Sequence, residues 1–323
     1  MANAALKKAD KKEHVAYYRL HFFKRVLVDI KRNPGLYLMF LPVLVYYILF
    51  HYKSMYGSLI AFMDYIPGHK NIFENEWVGF ENFRLFFSDR SFTRILVNTV
   101  RISIFNIILG FPAPIILALL LNELRAKRFS RVVQTVSYMP HFISLVVICG
   151  MIRDFTRADG IINIMLSYFG WKPVTMLAEP NLFLPVYVFS GIWQEMGYGS
   201  IIYLAALTGI SQDLYEAARI DGANRWKQLL YVTLPSIAPT IITMLILRMG
   251  QVMNVGFEKV MLLYNPQIYQ TADVISTFVY RAGLIQMQWS FSAAAGLFNS
   301  LVNFAMLILA NTLSKRFSET SLW

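Results

Sequence analysis

Residues 95–122 are ILVNTVRISIFNIILGFPAPIILALLLN, and Arg101 is the one charged side chain among them. About 20 consecutive apolar residues are enough for a helix to cross the hydrocarbon core of a bilayer. Polar and apolar residues do not alternate regularly here, and the stretch is too long for a strand of a membrane barrel. The stretch therefore predicts a transmembrane helix.

Five further apolar stretches of comparable length occur along the chain. Together with the first they predict an all-α, polytopic membrane protein with six transmembrane helices. Arg248 interrupts the fifth of the six. The five stretches are residues 36–51 with an extension to Ile60, 132–152, 183–210, 237–254 and 291–313.

The composition also indicates a membrane protein. Of the 323 residues, 56% are hydrophobic and 15% charged, and the mean hydropathy is +0.47, whereas soluble domains carry about 25% charged residues. A net charge of +11 would suit a nucleic-acid-binding protein if it gathered on one folded polar face. Lysine and arginine instead occupy short segments between apolar runs, so we expect a lipid bilayer and no nucleic acid as partner. Cys149 has no second cysteine for an intrachain disulfide.

Lysine and arginine predict the orientation of the chain, because they concentrate on the cytoplasmic side of membrane proteins. Residues 1–33, the loops after the second and fourth spans, and residues 314–323 contain 18 of them. The three opposite loops contain ten, and acidic residues offset those of the first. We therefore predict cytoplasmic tails at 1–33 and 314–323 around a transmembrane domain of residues 34–313. The aromatic external loop, 52–93, is interpreted as either an interfacial helix or a docking surface.

The loop after the fourth span, residues 211–235, has the sequence SQDLYEAARIDGANRWKQLLYVTLP. Asp213 and Glu216 have the spacing of a helix-capping box. Gly222 permits the left-handed turn that ends a helix. A second short helix should follow, which Pro235 is expected to end before the fifth span begins.

Ala217 and Ala218 leave part of this loop nearly flat. A flat patch lets the backbone of another protein approach closely, which suits a socket between two proteins. The same alanines are also good helix formers in an ordinary amphipathic connector, so the residues alone leave both interpretations open.

The loop resembles the EAA motif of permeases in binding-protein-dependent ABC importers. That pattern is E-A-A, three residues, G, nine residues, I, one residue, L-P, and Val232 replaces the isoleucine conservatively. The matching residues are Glu216, Ala217, Ala218, Gly222, Leu234 and Pro235. Stretches that resemble the oligosaccharide and polysaccharide branch of these permeases are residues 34–42, 77–83, 98–99, 138–144, 203–209, 294–298 and 321–323.

The resemblance implies a type I importer permease fold in a bacterial inner membrane, with residues 211–235 docked on an ATPase. It also implies a second homologous permease, a homodimeric ATPase and an external sugar-binding protein as partners. The sequence contains no G-x-x-x-x-G-K-[ST] motif, so we expect the partner ATPase to bind ATP and magnesium. No metal or other cofactor and no enzymatic activity are expected of this chain itself.

Polar residues inside the spans are candidates for the substrate path, because such residues usually face the protein interior. An aromatic side chain such as Trp193 could stack on a sugar ring. The alternative is that these residues hydrogen-bond neighbouring helices, and that Glu195 and Arg248 form a structural ion pair. The candidates are Trp193, Glu195, Tyr198, Arg248, Gln251, Asn254, Asn299 and Asn303.

Two other classes of membrane protein remain as alternatives. An ion-coupled secondary transporter commonly has inverted repeats and buried carboxylates, and Glu195 is the one carboxylate well inside a span. A sensor or enzyme anchor would need a soluble domain, for which the predicted tails are too short. Within the ABC importers, acidic and neutral oligosaccharides and a non-sugar solute are all candidate substrates.

Overall fold

The computed structural model describes residues 22–68, 71–317 and 321. The basic residues from Lys7 to Arg19 and the predicted family ending at 322–323 lie outside the described residues. The chain divides into two compact units, Met1–Leu59 and Ile60–Trp323.

The first unit contains a basic helix, α1 (Phe22–Arg32), and then most of the first predicted span. Asn33 separates them with backbone angles of φ −127° and ψ 55°. Pro34 begins the span, and its fixed φ suits the first helical position. The span consists of α2 (Pro34–Tyr46), a π-helical turn (Tyr47–Tyr52), α3 (Lys53–Tyr56) and a 3₁₀ turn (Gly57–Phe62).

The second unit is mainly helical. Its two short strands, β1 (Met63–Asp64) and β2 (Glu76–Trp77), pair antiparallel. The helices are α4 (Glu81–Ser88), α5 (Phe92–Phe105), α6 (Pro112–Glu123), α7 (Lys127–Tyr138), α8 (Leu145–Thr156), α9 (Ile161–Ser167), α10 (Phe183–Thr208), α11 (Gln212–Ile220), α12 (Arg225–Gln228), α13 (Leu234–Met249), α14 (Phe257–Leu263), α15 (Tyr269–Ala272), α16 (Ile275–Tyr280) and α17 (Trp289–Phe317). Three π-helical turns (Asn106–Gly110, Leu229–Thr233, Arg281–Ile285) and four 3₁₀ turns (Ile72–Glu74, Met139–Phe142, Met176–Ala178, Pro266–Ile268) complete the unit.

Among the described residues, four helical stretches are long and apolar enough to cross a membrane, and a bent pair of helices would make a fifth. Helix α10 coincides with the predicted fourth span and has 26 residues, about 39 Å at 1.5 Å per residue, but it is not among those stretches. The six predicted spans are therefore obtained only when α10 is counted as well. The four stretches are Pro34–Phe62, Phe92–Glu123, Arg225–Met249 and Trp289–Arg316.

The third predicted span, residues 132–152, is not one continuous helix. The chain bends by 103° between Lys127–Phe142 and Leu145–Ser167. Pro140 lies in the 3₁₀ turn at the bend, where it has no amide hydrogen to continue an α-helix. The Ser144 hydroxyl then accepts a hydrogen bond from the Val147 amide at 3.4 Å and caps the new helix α8.

The prediction that Pro235 ends the second short helix of the loop is also wrong. Arg225–Met249 forms one continuous helical stretch of 25 residues. The π-helical turn Leu229–Thr233 ends two residues before the proline. A wider turn avoids the clash that a proline ring makes with the carbonyl four residues earlier, so the helix passes Pro235 without ending.

Helix α10 lies at the centre of the second unit and packs very closely against α7. Gly197 occupies the contact, and a Cβ at this position would overlap the Ser137 carbonyl oxygen. The largest buried cluster also includes α10 residues, such as Phe183 and Val188, together with Cys149 of α8. Close packing on several sides therefore holds α10 in position, where it lines a polar cavity.

Candidate functional site

A cavity of about 780 Å³ lies against α10 in the second unit. Its other walls come from the π-helical turn before α6, the bend between α7 and α8, the end of α13 and the start of α14. We call it the central cavity. Its polar lining side chains include His141, Gln194, Glu195, Tyr198, Arg248, Gln251, Asn254 and Lys259.

His141, Glu195 and Tyr198 form one cluster in this wall. The His141 Nδ1 atom lies 2.9 Å from the Glu195 Oε2 atom. The imidazole stacks on the Tyr198 ring with centroids 3.9 Å apart and planes at 2°. The bend at Pro140 brings His141 to α10. Among the described ion pairs, Glu195 is joined to His141 and not, as considered from the sequence, to Arg248.

Arg248, Gln251 and Asn254 line the cavity near the end of the fifth span. Helix α13 ends at Met249, so it is shorter than the predicted span over 237–254. Gln251 and Asn254 lie beyond the end of the helix. This irregular backbone is held in place from α17. The Asn299 and Asn303 Nδ2 atoms donate to the Asn254 Oδ1 atom at 3.0 and 3.3 Å.

Asn303 also accepts a hydrogen bond from the Met253 amide at 2.8 Å through its Oδ1 atom. Neither Asn299 nor Asn303 is among the residues that line the central cavity. The structure thus places these two predicted path residues behind Asn254, where they fix its orientation.

Lys259 was missed by the sequence analysis, because α14, the short helix that contains it, lies outside the predicted spans. It is 7% exposed, its Nζ atom donates to the Tyr187 carbonyl oxygen at 3.3 Å, and it lies 5.0 Å from the centroid of the Tyr187 ring. Burial lowers the pKa of Lys259 to about 8, while the Cys149 thiol and the Glu195 carboxylate act in the opposite direction. The available signal was a lysine directly before the apolar stretch VMLL.

The charges around the central cavity are unequal. Arg248 and Lys259 both line it, while Glu195 is the one carboxylate among its lining residues and lies against His141. The positive charges of the two basic groups attract an anion to this part of the cavity. Tyrosine rings in the same wall offer apolar faces, so the lining combines groups suited to a carboxylate with surfaces suited to a sugar ring.

Trp193 is not part of this site. It lines a second, mainly apolar cavity of about 700 Å³ between α8, α9 and α10. Its neighbours there include Phe155, Trp171 and Phe189. Of the eight predicted path residues, the central cavity therefore brings together five: Glu195, Tyr198, Arg248, Gln251 and Asn254.

The loop with the EAA-like sequence begins with a cap different from the predicted one. Ser211, not Asp213, is the N-cap of α11, and its hydroxyl accepts from the Asp213 amide at 3.2 Å. Asp213 is the second helical residue, so Glu216 lies too far along the helix for the predicted capping box.

The end of α11 has the predicted left-handed glycine. Gly222 has a φ of +76°, and the Ala223 and Gly222 amides donate to the Ala218 and Arg219 carbonyls at 2.8 and 3.0 Å. This pattern of two bonds is the Schellman motif. The turn leads into α12, whose N-cap, Asn224, accepts from the Lys227 amide at 2.9 Å.

Residues 211–235 expose several large apolar side chains. Ile220 is 86% exposed, Trp226 73% and Tyr231 76%. Polar contacts hold this loop. Tyr215 Oη lies 3.0 Å from Thr233 Oγ1 within the loop, and Arg225 lies 3.6 Å from the carboxylate of Glu123 at the end of α6. The loop therefore presents an attached, uncovered apolar surface, which we call the coupling surface.

Apolar helices long enough to cross a membrane, a polar cavity and a structured loop with an uncovered surface are features of a membrane transport component. The family model for the inner membrane component of binding-protein-dependent transport systems matches residues 110–319. The chain belongs to this family and is a permease subunit of an ABC importer.

Individual proteins similar to this chain include two from Bacillus subtilis (strain 168). The polygalacturonan/rhamnogalacturonan transport system permease protein YteP is 41% identical over 93% of this chain and 94% of its own length. Protein LplB is 41% identical over 92% and 93%. A solved chain of a bacterial alginate ABC transporter, in complex with an alginate pentasaccharide-bound periplasmic protein, is 42% identical with a TM-score of 0.84. That match covers 92% of this chain and all of the solved one.

Proposed function

We propose that this chain forms half of the path by which an ABC importer takes up an acidic oligosaccharide derived from a polysaccharide. The observation that carries the proposal is the surplus of positive charge in the central cavity, which Arg248 and Lys259 line. The names of the relatives support it, because polygalacturonan and alginate are both acidic polysaccharides. The same importer with a neutral oligosaccharide or a non-sugar solute is the alternative that the experiment below separates.

The lining of the central cavity suits the passage of a sugar better than its tight binding. Arg248, Gln251 and Asn254 are all exposed to it, so they can exchange hydrogen bonds with water and with sugar hydroxyls. Glu195 would repel a uronate carboxylate, but His141 lies against it at 2.9 Å. Positive charge from Arg248 and Lys259 then attracts the acidic groups of the sugar.

Residues 211–235 are proposed to couple this path to a homodimeric ATPase. Support comes from the EAA-like residues, from the Schellman turn at Gly222 and from the exposed Ile220 and Trp226. The coupling surface is continuous in sequence with α13, since Arg225–Met249 is one helical stretch. Movement of the docked loop would therefore reach Arg248 directly along a helix.

The remaining assembly is proposed from the same family membership. The partner ATPase binds ATP and magnesium and hydrolyses the nucleotide, a second homologous permease supplies the other half of the path, and an external binding protein delivers the sugar. Both termini of this chain lie in the cytoplasm under this proposal, on the side where lysine and arginine are more numerous.

The test is ATP hydrolysis by the reconstituted importer. We would co-express the chain with the permease, ATPase and binding protein of its genomic neighbourhood, place the complex in proteoliposomes and add acidic or neutral oligosaccharides of equal length. We expect acidic oligosaccharides with binding protein to stimulate hydrolysis. Equal stimulation by neutral sugars would contradict the acidic substrate, and stimulation by a non-sugar solute alone would support the alternative.

Two variants of the coupling surface complete the test. Gly222→Arg and Glu216→Lys should abolish the stimulation, while Asp159→Asn on an exposed external loop should leave it unchanged. Stimulation that survives both loop variants would mean that residues 211–235 are an ordinary connector.

A further inference from the structure

Helix α1 combines exposed apolar residues with basic charge immediately before the first span. Its sequence, FFKRVLVDIKR, has four basic residues and one acidic residue. Leu27 is 59% exposed and Ile30 38% exposed. We propose that α1 is a membrane-surface helix that binds the anionic lipid headgroups of the leaflet at which the first span begins.

The residues of α1 are arranged for such a position. At 100° per residue, Val26, Leu27 and Ile30 lie within an arc of about 100°. Val28 and Arg32 project from the opposite side of the helix. An apolar stripe with basic residues away from it is the pattern of helices that lie in the membrane interface.

The one acidic residue of α1 is Asp29, and its carboxylate is hydrogen-bonded within the chain. The Asp29 carboxylate accepts hydrogen bonds from the Asn33 Nδ2 atom at 3.1 Å and from the Tyr37 hydroxyl at 2.7 Å. These bonds join the end of α1 to the start of the span. The carboxylate keeps its negative charge but is held within the chain, and the four basic residues of α1 outnumber it.

Asn33 separates α1 from the axis of the span. Its ψ of 55° differs by about 100° from the helical value, so the two helices do not continue into one another. Pro34 begins a stretch that is apolar enough to enter the bilayer, which places Lys31 and Arg32 at the level of the headgroups. Basic residues next to a span are attracted to anionic lipids within a short distance of the surface.

Lipid, rather than a protein partner, is the occupant that these observations favour, because the helix joins a membrane-spanning segment directly and carries a surplus of positive charge. The experiment uses single introduced cysteines, Leu27→Cys, Ile30→Cys and Val28→Cys, each labelled with the fluorophore NBD. The complete importer would be placed in nanodiscs of phosphatidylcholine alone or mixed with phosphatidylglycerol. Native Cys149 is 2% exposed, and labelling of the unsubstituted chain measures its background.

We expect NBD at positions 27 and 30 to be blue-shifted and quenched by spin-labelled lipid, and NBD at position 28 to be quenched by aqueous iodide. Phosphatidylglycerol should strengthen the lipid quenching, and the double variant Lys31→Glu/Arg32→Glu should remove that gain. Equal iodide quenching at all three positions would overturn the proposal. Shielding of positions 27 and 30 from both quenchers would overturn it as well, because a protein subunit would then cover the apolar stripe.

Discussion

The His141 imidazole lies 2.9 Å from the Glu195 carboxylate, across the bend that separates α7 from α8. This pair joins a sharp break in one span to the middle of another. It also places a negative charge in a cavity whose other charged lining residues, Arg248 and Lys259, are positive. This contact therefore links the bend to α10 and contributes to the charge of the cavity.

Replacement of Glu195 by glutamine should favour acidic substrates. Glutamine can still hydrogen-bond His141 but lacks the charge that repels a uronate. Because the carboxylate is half exposed, the effect should be small: KM for an acidic oligosaccharide should fall about two- to fivefold. KM for a neutral oligosaccharide of equal length should not change. Uptake kinetics in proteoliposomes would measure both, and an equal change for the two sugars would contradict the electrostatic explanation.

Uptake of acidic sugar should fall as the pH rises through about 8. Burial lowers the pKa of Lys259 from its usual 10.5 to about 8, so the lysine is charged below that pH and neutral above it.

The free energy of unfolding should change with pH in the opposite direction. The folded state binds this proton less readily than the unfolded state, so the contribution of Lys259 to stability is greatest above pH 10.5 and decreases as the pH falls to about 8.

The matched variant for this prediction is Lys259→Arg, since arginine stays charged throughout the range. The ratio of wild-type to variant uptake, measured from about pH 7 to about pH 9, removes the pH dependence of the ATPase itself. We expect the ratio to decline through about pH 8. A constant ratio would mean that the protonation of Lys259 does not affect transport.

Gly222 should tolerate asparagine better than valine. Its φ of +76° is strained for residues with a Cβ, by about 1–2 kcal/mol, although a Cβ added there would meet no atom within 4 Å. Asparagine adopts this conformation more readily than a β-branched residue. We expect Gly222→Asn to keep most of the substrate-stimulated ATP hydrolysis and Gly222→Val to lose it, with assembly checked by co-purification of the ATPase.

Gly197 should not tolerate even alanine. The added Cβ would overlap the Ser137 carbonyl, and overpacking of this kind costs about 1–3 kcal/mol. Gly296 in α17 provides the control, because no atom lies within 4 Å of an added Cβ there. Thermal unfolding in detergent should show a lower Tm for Gly197→Ala and an unchanged or higher Tm for Gly296→Ala. Equal effects would show that α10 and α7 do not pack as described.

The sequence predicted the spans that face an apolar environment, because hydropathy records contact with lipid. It could not distinguish a kink from a break at Pro140, which depends on the cap that Ser144 provides to α8. It also could not show that the helix passes Pro235, because the π-helical turn of residues 229–233 leaves no simple pattern in the sequence.

The candidate site was only partly predictable for a related reason. Polar residues within the spans were found as a class, but their partners come from distant parts of the chain. Asn299 and Asn303 hold Asn254, while Trp193 lines a different cavity. Lys259 was missed because the apolar stretch that follows it does not show that the lysine bonds the Tyr187 carbonyl of α10.

The measurement that tests the central claim most directly is the selectivity of uptake in proteoliposomes containing the complete importer. Wild type would be compared with the double variant Arg248→Gln/Lys259→Gln, each supplied with labelled acidic and neutral oligosaccharides of equal length. We predict that wild type takes up the acidic sugar preferentially and that the double variant loses this preference while its ATPase remains bound. An unchanged preference in the double variant would contradict the assignment of the central cavity as the path of an acidic oligosaccharide.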